Sequence, residues 1–98
     1  MQVTANADGA SDFILIGEGD HVGQIVATAW DGATATLQTA VDAVSFVDAD
    51  DPYNTGNALA ATANTKPFRL VGGCSYRLNV SSFGGSTSGL KLVVNKAD

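Results

Sequence analysis

The only histidine of the chain is the first residue to test for catalytic chemistry. His21 follows Asp20, a carboxylate that could orient its imidazole for general acid–base work. No nucleophile with an activating partner accompanies this pair, and the glycines at positions 19 and 23 indicate a turn. We therefore predict an exposed turn histidine without a catalytic role.

A group of oxygen-bearing side chains between positions 48 and 54 is a candidate cation site. Hard oxygen ligands of the kind that calcium prefers are carried by Asp48, Asp50, Asp51 and Asn54. The spacing departs from that of an EF-hand loop, because Pro52 takes the fifth position and no glycine follows it. The favoured interpretation is a solvated acidic loop, and the alternative is a bound cation.

Two further reactive side chains lie in the run CSYRLNVS (74–81), which alternates apolar and polar residues. Cys74 has no basic neighbour to stabilise a thiolate, and its place in the alternation predicts an inward-facing, unreactive thiol. Arg77 falls on the opposite side of the run, where the favoured interpretation is a surface arginine and the alternatives are a pair with a carboxylate across the sheet or with a partner chain. These residues form no catalytic constellation. We therefore predict that the chain is not an enzyme and uses no cofactor or metal.

Length and composition set the scale of the protein. A chain of 98 residues is sufficient for one domain with a modest core, and much of its 45% hydrophobic content is alanine. The net charge of −5 argues against a nucleic-acid partner, because proteins that bind phosphate backbones concentrate cations. No apolar run approaches the roughly 18 residues of a membrane helix, so we expect no membrane partner.

Short apolar segments separated by turn residues run along the chain, a pattern typical of an all-β protein. The segments are FILI (13–16), QIVATAW (24–30), ATATLQT (33–39), AVSFV (43–47), NALAATA (57–63), PFRLV (67–71), CSYRLNVS (74–81) and GLKLVVN (89–95). We predict a single antiparallel β-sandwich or barrel of about eight short strands over residues 13–98. The segment 57–63 has a weak helical alternative, because alanine favours helices. Residues 1–12 lack periodicity and are predicted to form a flexible N-terminal arm, with an edge segment as the alternative.

The dipeptide Asp31-Gly32 lies between two alternating runs and predicts a β-hairpin with a type I′ turn. In that hairpin Trp30 would lie opposite Ala33 and pack over the small residues that follow it. The opposite face would be flat and uncharged, which suits contact with another chain. The predicted interface residues on that face are Ile25, Ala27, Ala29, Thr34 and Thr36.

A second hairpin is predicted at Gly72-Gly73. A two-residue turn would place Phe68 opposite Arg77, on the wrong face, whereas a three-residue loop over 71–73 places Phe68 opposite Tyr76. Such a loop needs a left-handed residue at its end, and Gly73 can adopt that conformation. We therefore predict a three-residue hairpin loop.

The order of several of these segments is similar to that of a known group of proteins. The segments that carry the likeness are WDGATATLQ (30–38), AVSFVD (43–48), CSYRLNVSS (74–82) and SGLKLVVN (88–95). Together they resemble the small β-sandwich proteins of tailed-bacteriophage virions, of the capsid-decoration, cement or head-fibre type. The resemblance implies a structural protein, made in the host cytoplasm, that binds the major capsid protein on the outer capsid surface and stabilises the head. A minor tail or head-fibre component is a related alternative.

Two expectations accompany this reading. The thin, alanine-rich core and the uncharged face favour a homo-oligomer, with a trimer preferred and a dimer as the alternative. The competing function is a carbohydrate-binding module, since β-sandwiches often present sugars to exposed aromatic rings. Tyr53 is the one plausible platform for a sugar, because Trp30 is predicted to face inward.

Overall fold

The computed structural model describes residues 1–97, which form ten β-strands and no helix. The strands are β1 (Gln2–Thr4), β2 (Gly9–Ala10), β3 (Ile14–Leu15), β4 (His21–Val26), β5 (Thr34–Ala40), β6 (Val47–Asp48), β7 (Ala60–Ala61), β8 (Phe68–Leu70), β9 (Ser75–Ser81) and β10 (Lys91–Lys96). Two antiparallel sheets pack face to face, so the prediction of an all-β sandwich is confirmed. Over the described range, no helix is long and apolar enough to cross a membrane.

The two sheets are built around two nested pairs of long strands. Sheet A has the order β1-β10-β4-β8, and its centre is the β4–β10 pair. Sheet B has the β5–β9 pair at its centre. The short strands β2 and β3 both lie along the free edge of β9, and β6 and β7 both lie along the free edge of β5.

The core lies between the inner faces of the two sheets. Alternate residues of β5 and β9 point inward, so that Leu37 lies opposite Leu78 and Ala35 opposite Val80, all of them buried. Sheet A contributes fully buried side chains of its own, among them Ile25, Leu92 and Val94. Burial of each of these large aliphatic side chains stabilises the fold by about 1.5–3 kcal/mol. Both sheets thus contribute fully buried side chains to one core.

The turn at Asp31-Gly32 has the predicted backbone but joins different sheets. Both residues have positive φ, 46° and 78°, and the Ala33 amide donates to the Trp30 carbonyl at 2.9 Å. However, β4 pairs with β8 and β10, whereas β5 pairs with β6, β7 and β9. The predicted hairpin is therefore wrong. Alternating runs on either side of a tight turn can bury their apolar residues equally well by packing face to face across a sandwich.

The loop over 71–73 repeats this arrangement. Gly73 has the predicted left-handed conformation, with φ 82°. The strands that it connects, β8 and β9, belong to sheet A and sheet B, so Phe68 does not pair with Tyr76. The predicted inward orientation of Phe68 and Tyr76 is confirmed, because both are buried in the core between the sheets.

The first twelve residues contribute edge strands to both sheets, so the structure has the edge segment that the sequence offered as an alternative and not the flexible arm. Strand β1 pairs with β10 so that Val3 lies opposite Leu92, and Val3 and Ala5 are buried. Strand β2 pairs with β9 in the other sheet. The strands have only three and two residues, too few for an alternating pattern to be visible in the sequence. The segment 57–63 is also extended, and its helical alternative is wrong: the Leu59 amide donates to the Ala49 carbonyl.

Candidate protein-interaction surface

The single histidine is a buried strand residue. His21 begins β4, is 3% exposed, and donates from Nδ1 to the Gly19 carbonyl at 3.0 Å. The neighbouring Asp20 carboxylate contacts the Arg69 guanidinium at 3.3 Å on the surface. The prediction of an exposed turn histidine is therefore wrong, because the glycines on either side flank the start of a strand that pairs on both edges.

The acidic segment forms an excursion between β6 and β7 at the edge of sheet B. Asp48 accepts a hydrogen bond from the Gln38 side-chain amide at 3.0 Å, and Asp51 accepts one from the Tyr53 backbone amide at 2.9 Å. In the described part of the chain, no three His, Cys, Asp or Glu side chains come together in a group that could hold a metal ion.

The two aromatic residues considered for sugar binding are both engaged within the chain. Trp30 is half-buried against the core, and its indole N–H donates to the Asn64 side-chain oxygen at 2.9 Å. Tyr53 is 62% exposed, but its hydroxyl donates to the Pro67 carbonyl and the Lys66 ammonium lies 5.6 Å from the centre of its ring. One face of the Tyr53 ring is thus covered by a side chain of this protein.

The five predicted interface residues do not form one surface. Ile25 is completely buried in the core, and Ala27 packs against the core from the same side of the molecule. Ala29 is half-buried and bridges to Ser88, beyond the end of β4. Thr34 and Thr36 alternate with buried residues on the outer face of sheet B. The prediction of one shared face is wrong because the chain passes from sheet A to sheet B at the Asp31-Gly32 turn, which lies between Ala29 and Thr34.

A different part of the outer face of sheet B carries an aromatic cluster. The rings of Phe13, just before β3, and Phe46, just before β6, have centroids 5.7 Å apart and planes tilted by 48°. The Arg77 guanidinium lies 4.0 Å from the centre of the Phe46 ring. Between the two edges of the sheet, Ala40 of β5 pairs with Ser75 of β9, and both are buried although they lie on the outer face.

A polar row fixes the position of Arg77 across the same face. The Arg77 Nε donates to the Gln38 side-chain oxygen at 2.8 Å, and the Gln38 Nε2 donates to the Asp48 carboxylate at 3.0 Å. The three residues are neighbours in the strand register, since Gln38 pairs with Arg77 on one side and with Asp48 on the other. Arg77 thus lies on the outer face, as its alternation predicts, in a defined orientation. Cys74, two positions before Tyr76, is half-buried and packs against the core.

Apolar side chains of this cluster and of the adjoining segments are open to solvent. The exposed fraction is 47% for Phe13, 66% for Leu15, 83% for Val41 and 80% for Val44. Leu15 shares the outer face because it pairs with Ser75, and the two valines lie in the loop that connects Ala40 to Phe46. We call this surface the outer-face patch; it consists of Phe13, Leu15, Val41, Val44, Phe46 and Arg77.

The loop that carries the two valines is held by the Asp42 carboxylate. This carboxylate accepts hydrogen bonds from the Ser45 amide at 2.7 Å, the Ser45 hydroxyl at 2.7 Å and the Val44 amide at 2.9 Å. These bonds, first those from Ser45, lower the pKa of the Asp42 carboxyl to about 2. The following residue, Ala43, has φ 60°, a left-handed conformation that this arrangement of hydrogen bonds maintains.

The composition of the outer-face patch is that of a protein–protein contact. The aromatic pair and the arginine are residue types enriched at such interfaces, and the exposed leucine and valines beside them add apolar area. Sequence reasoning missed the patch because its apolar residues lie beside two-residue strands and in a loop, where no periodicity marks them.

Comparison with known proteins adds no relative. No protein family matches the sequence, and neither curated proteins nor solved structures give a significant match.

Proposed function

We propose that this chain is a structural protein of a tailed-bacteriophage virion, a decoration or cement protein that binds the major capsid protein on the outer capsid surface and stabilises the head. The observation that carries the proposal is the outer-face patch, a surface suited to binding protein. Burial of its side chains would contribute roughly 25 cal/mol for each Å² of apolar area removed from water. The virion location rests on the resemblance of the sequence to virion proteins.

The architecture supports an assembly role in a second way. Phe13 and Phe46 are held by a packed sandwich, and Val44 is held by a hydrogen-bonded loop. A surface that is ordered before it meets its partner loses little conformational freedom on binding. Such a surface fits a protein that joins an assembly as a rigid unit.

The carbohydrate-binding alternative has weaker support. A sugar platform needs an open aromatic face, and Lys66 lies over the Tyr53 ring while Arg77 lies over the Phe46 ring. Trp30 packs against the core with its indole N–H engaged. Glycan binding is therefore an outcome for the test to detect.

The test uses the virions of the phage whose genome encodes this chain. We expect mass spectrometry of gradient-purified particles to identify the chain, and surface labelling of intact particles to modify its lysines. Purified chain added to heads that lack it should sediment with them until sites are saturated, and heads already carrying it should take up no more. The decorated heads should also withstand a higher temperature before releasing DNA.

Two results would contradict the proposal. Absence of the chain from purified virions would remove the virion role. A chain that stays in the supernatant with undecorated heads but binds immobilised glycans would support the carbohydrate-binding alternative instead.

A further inference from the structure

We infer that the outer-face patch binds a second copy of this chain, in a two-fold dimer in which Arg77 of each copy pairs with Asp48 of the other. The inference rests on the protein-binding role proposed for the patch and is independent of the virion location. It assigns the patch to contact between two copies, so that capsid binding in the proposed function would use the remaining surface of the dimer. Three features of the molecule support it: the unmatched charge of Arg77, the register of sheet B and the apolar groups beside the polar row.

The guanidinium charge of Arg77 has no carboxylate partner in the described part of the chain. Its side chain is half-buried and stacked on Phe46, and its Nε is used by the neutral Gln38. Among residues 1–97 no carboxylate lies within 4.0 Å of its guanidinium, whereas the exposed Arg69 has one in Asp20. The two Nη groups therefore remain available for a carboxylate, which a guanidinium can bind through two parallel hydrogen bonds.

Three polar side chains stand in one row across the outer face of sheet B. The register places Arg77 on β9, Gln38 on β5 and Asp48 on β6 in one row, with adjacent strands about 4.8 Å apart. A two-fold axis parallel to the strands and above β5 sets β9 of one copy over β6 of the other. Arg77 then lies above Asp48 of the other copy, and the two Arg77 side chains are two strands apart. The symmetry forms this contact twice, so that both guanidinium groups gain a carboxylate.

Apolar side chains lie in the row next to this polar row. The same axis sets Phe46 of one copy over Ser75 of the other in the neighbouring row, with Leu15 of that other copy one strand away. Val41 and Val44 extend the apolar surface at the end of the sheet. In the proposed dimer, apolar side chains of the two copies meet in one row, and Arg77 meets Asp48 in the row beside it. This self-complementarity selects a second copy over a partner that carries charges of only one sign, and it selects a dimer over the trimer expected from the sequence.

The decisive experiment exchanges the two charges. We expect sedimentation velocity to give a dimer for the unmodified chain. Arg77→Asp and Asp48→Lys should each weaken the dimer at least tenfold, because each places like charges opposite one another. An equimolar mixture of the two variants should restore association, since each Arg77→Asp chain still carries Asp48 and each Asp48→Lys chain still carries Arg77. Both new contacts in the mixed dimer then join opposite charges.

Two variants outside the row provide a matched comparison. Val44→Lys places a charge in the patch and should give a monomer. Val71 is a similarly exposed valine, at 68%, outside the patch, so Val71→Lys should remain a dimer. Circular dichroism of each variant establishes that it is folded, and Val44→Lys tests the proposal even if a charge-exchange variant does not fold.

Three results would overturn the inference: an unmodified chain that is monomeric at every concentration, a trimer, or a mixture that does not associate. Failure of the virion proposal is distinct from these results. A dimer restored by charge exchange in a chain absent from virions removes only the proposed function. A monomer that sediments with phage heads removes only the dimer.

Discussion

The two faces of the β5–β9 ladder share a backbone but differ in how their side chains are covered. On the inner face Leu37 lies opposite Leu78, and sheet A closes over them. On the outer face Thr36 lies opposite Asn79, and the ladder ends beneath the outer-face patch, part of which remains open to solvent. Alternation along two long strands therefore determines the core, whereas short flanking segments determine what the surface can bind.

The largest effect should follow from opening the inner face. Leu37→Ala removes a side chain that is 2% exposed, so we expect the free energy of unfolding to fall by about 2–5 kcal/mol, from lost burial and the cavity left behind. Urea unfolding followed by Trp30 fluorescence measures the change. A loss below about 1 kcal/mol would contradict close packing between the sheets.

A smaller loss is expected at the aromatic cluster of the outer face. Phe46→Ala removes the ring that contacts both Phe13 and the Arg77 guanidinium. The two contacts together should be worth about 1–2 kcal/mol in the free energy of unfolding. Phe46→Leu is the matched control, because it keeps an apolar side chain without the ring. Equal stability of the unmodified chain and Phe46→Ala would show that the cluster contributes nothing to the monomer.

The loop beside this cluster should respond to pH. The folded pKa of Asp42 is about 2 and the ordinary value is 3.8, so the folded state favours the ionised carboxylate. Its contribution to stability is therefore fully present above pH 3.8 and is lost as the pH falls through the folded pKa of about 2. An NMR titration of the carboxyl carbons measures this pKa directly. Ser45→Ala should raise it by removing one hydrogen bond, and an unchanged titration in that variant would contradict the assigned cause.

The smallest effect is expected in the polar part of the outer face. Thr36→Ala changes a half-buried side chain next to Leu37, yet the free energy of unfolding should stay within about 0.5 kcal/mol of the parent value. The same urea unfolding serves as the measurement. A loss comparable to that of Leu37→Ala would mean that this part of the face is covered, for instance by a further subunit.

Local signals in the sequence predicted local structure correctly. The alternation of Tyr76 and Leu78 gave their buried face, and Asp31-Gly32 gave a turn with two positive φ angles. Those signals contain no information on which sheet receives the next strand, because pairing and face-to-face packing bury the same residues. That ambiguity made both predicted hairpins wrong and divided the predicted interface that included Ile25.

The outer-face patch was hidden for a related reason. The sequence pattern predicts Phe13 as one end of an apolar strand and Val44 as part of another. Both are surface residues, because β3 and β6 begin one residue or more later and contain only two residues each. An edge strand this short forms because its backbone groups pair with those of the neighbouring strand. The sequence of the edge segment does not reveal that pairing.

The nested pairing of the four long strands has a consequence for how the molecule folds. Strand β4 pairs with β10, so that Val26 meets Lys91, while the β5–β9 pair forms entirely from the chain between them. Neither pair can begin as a local hairpin, and each must close a long loop of disordered chain before any contact compensates for the lost entropy. Refolding should therefore be slow for a small domain, in about milliseconds to seconds. A peptide spanning residues 24–39 alone should remain unstructured, because the partners of both its strands lie elsewhere in the chain.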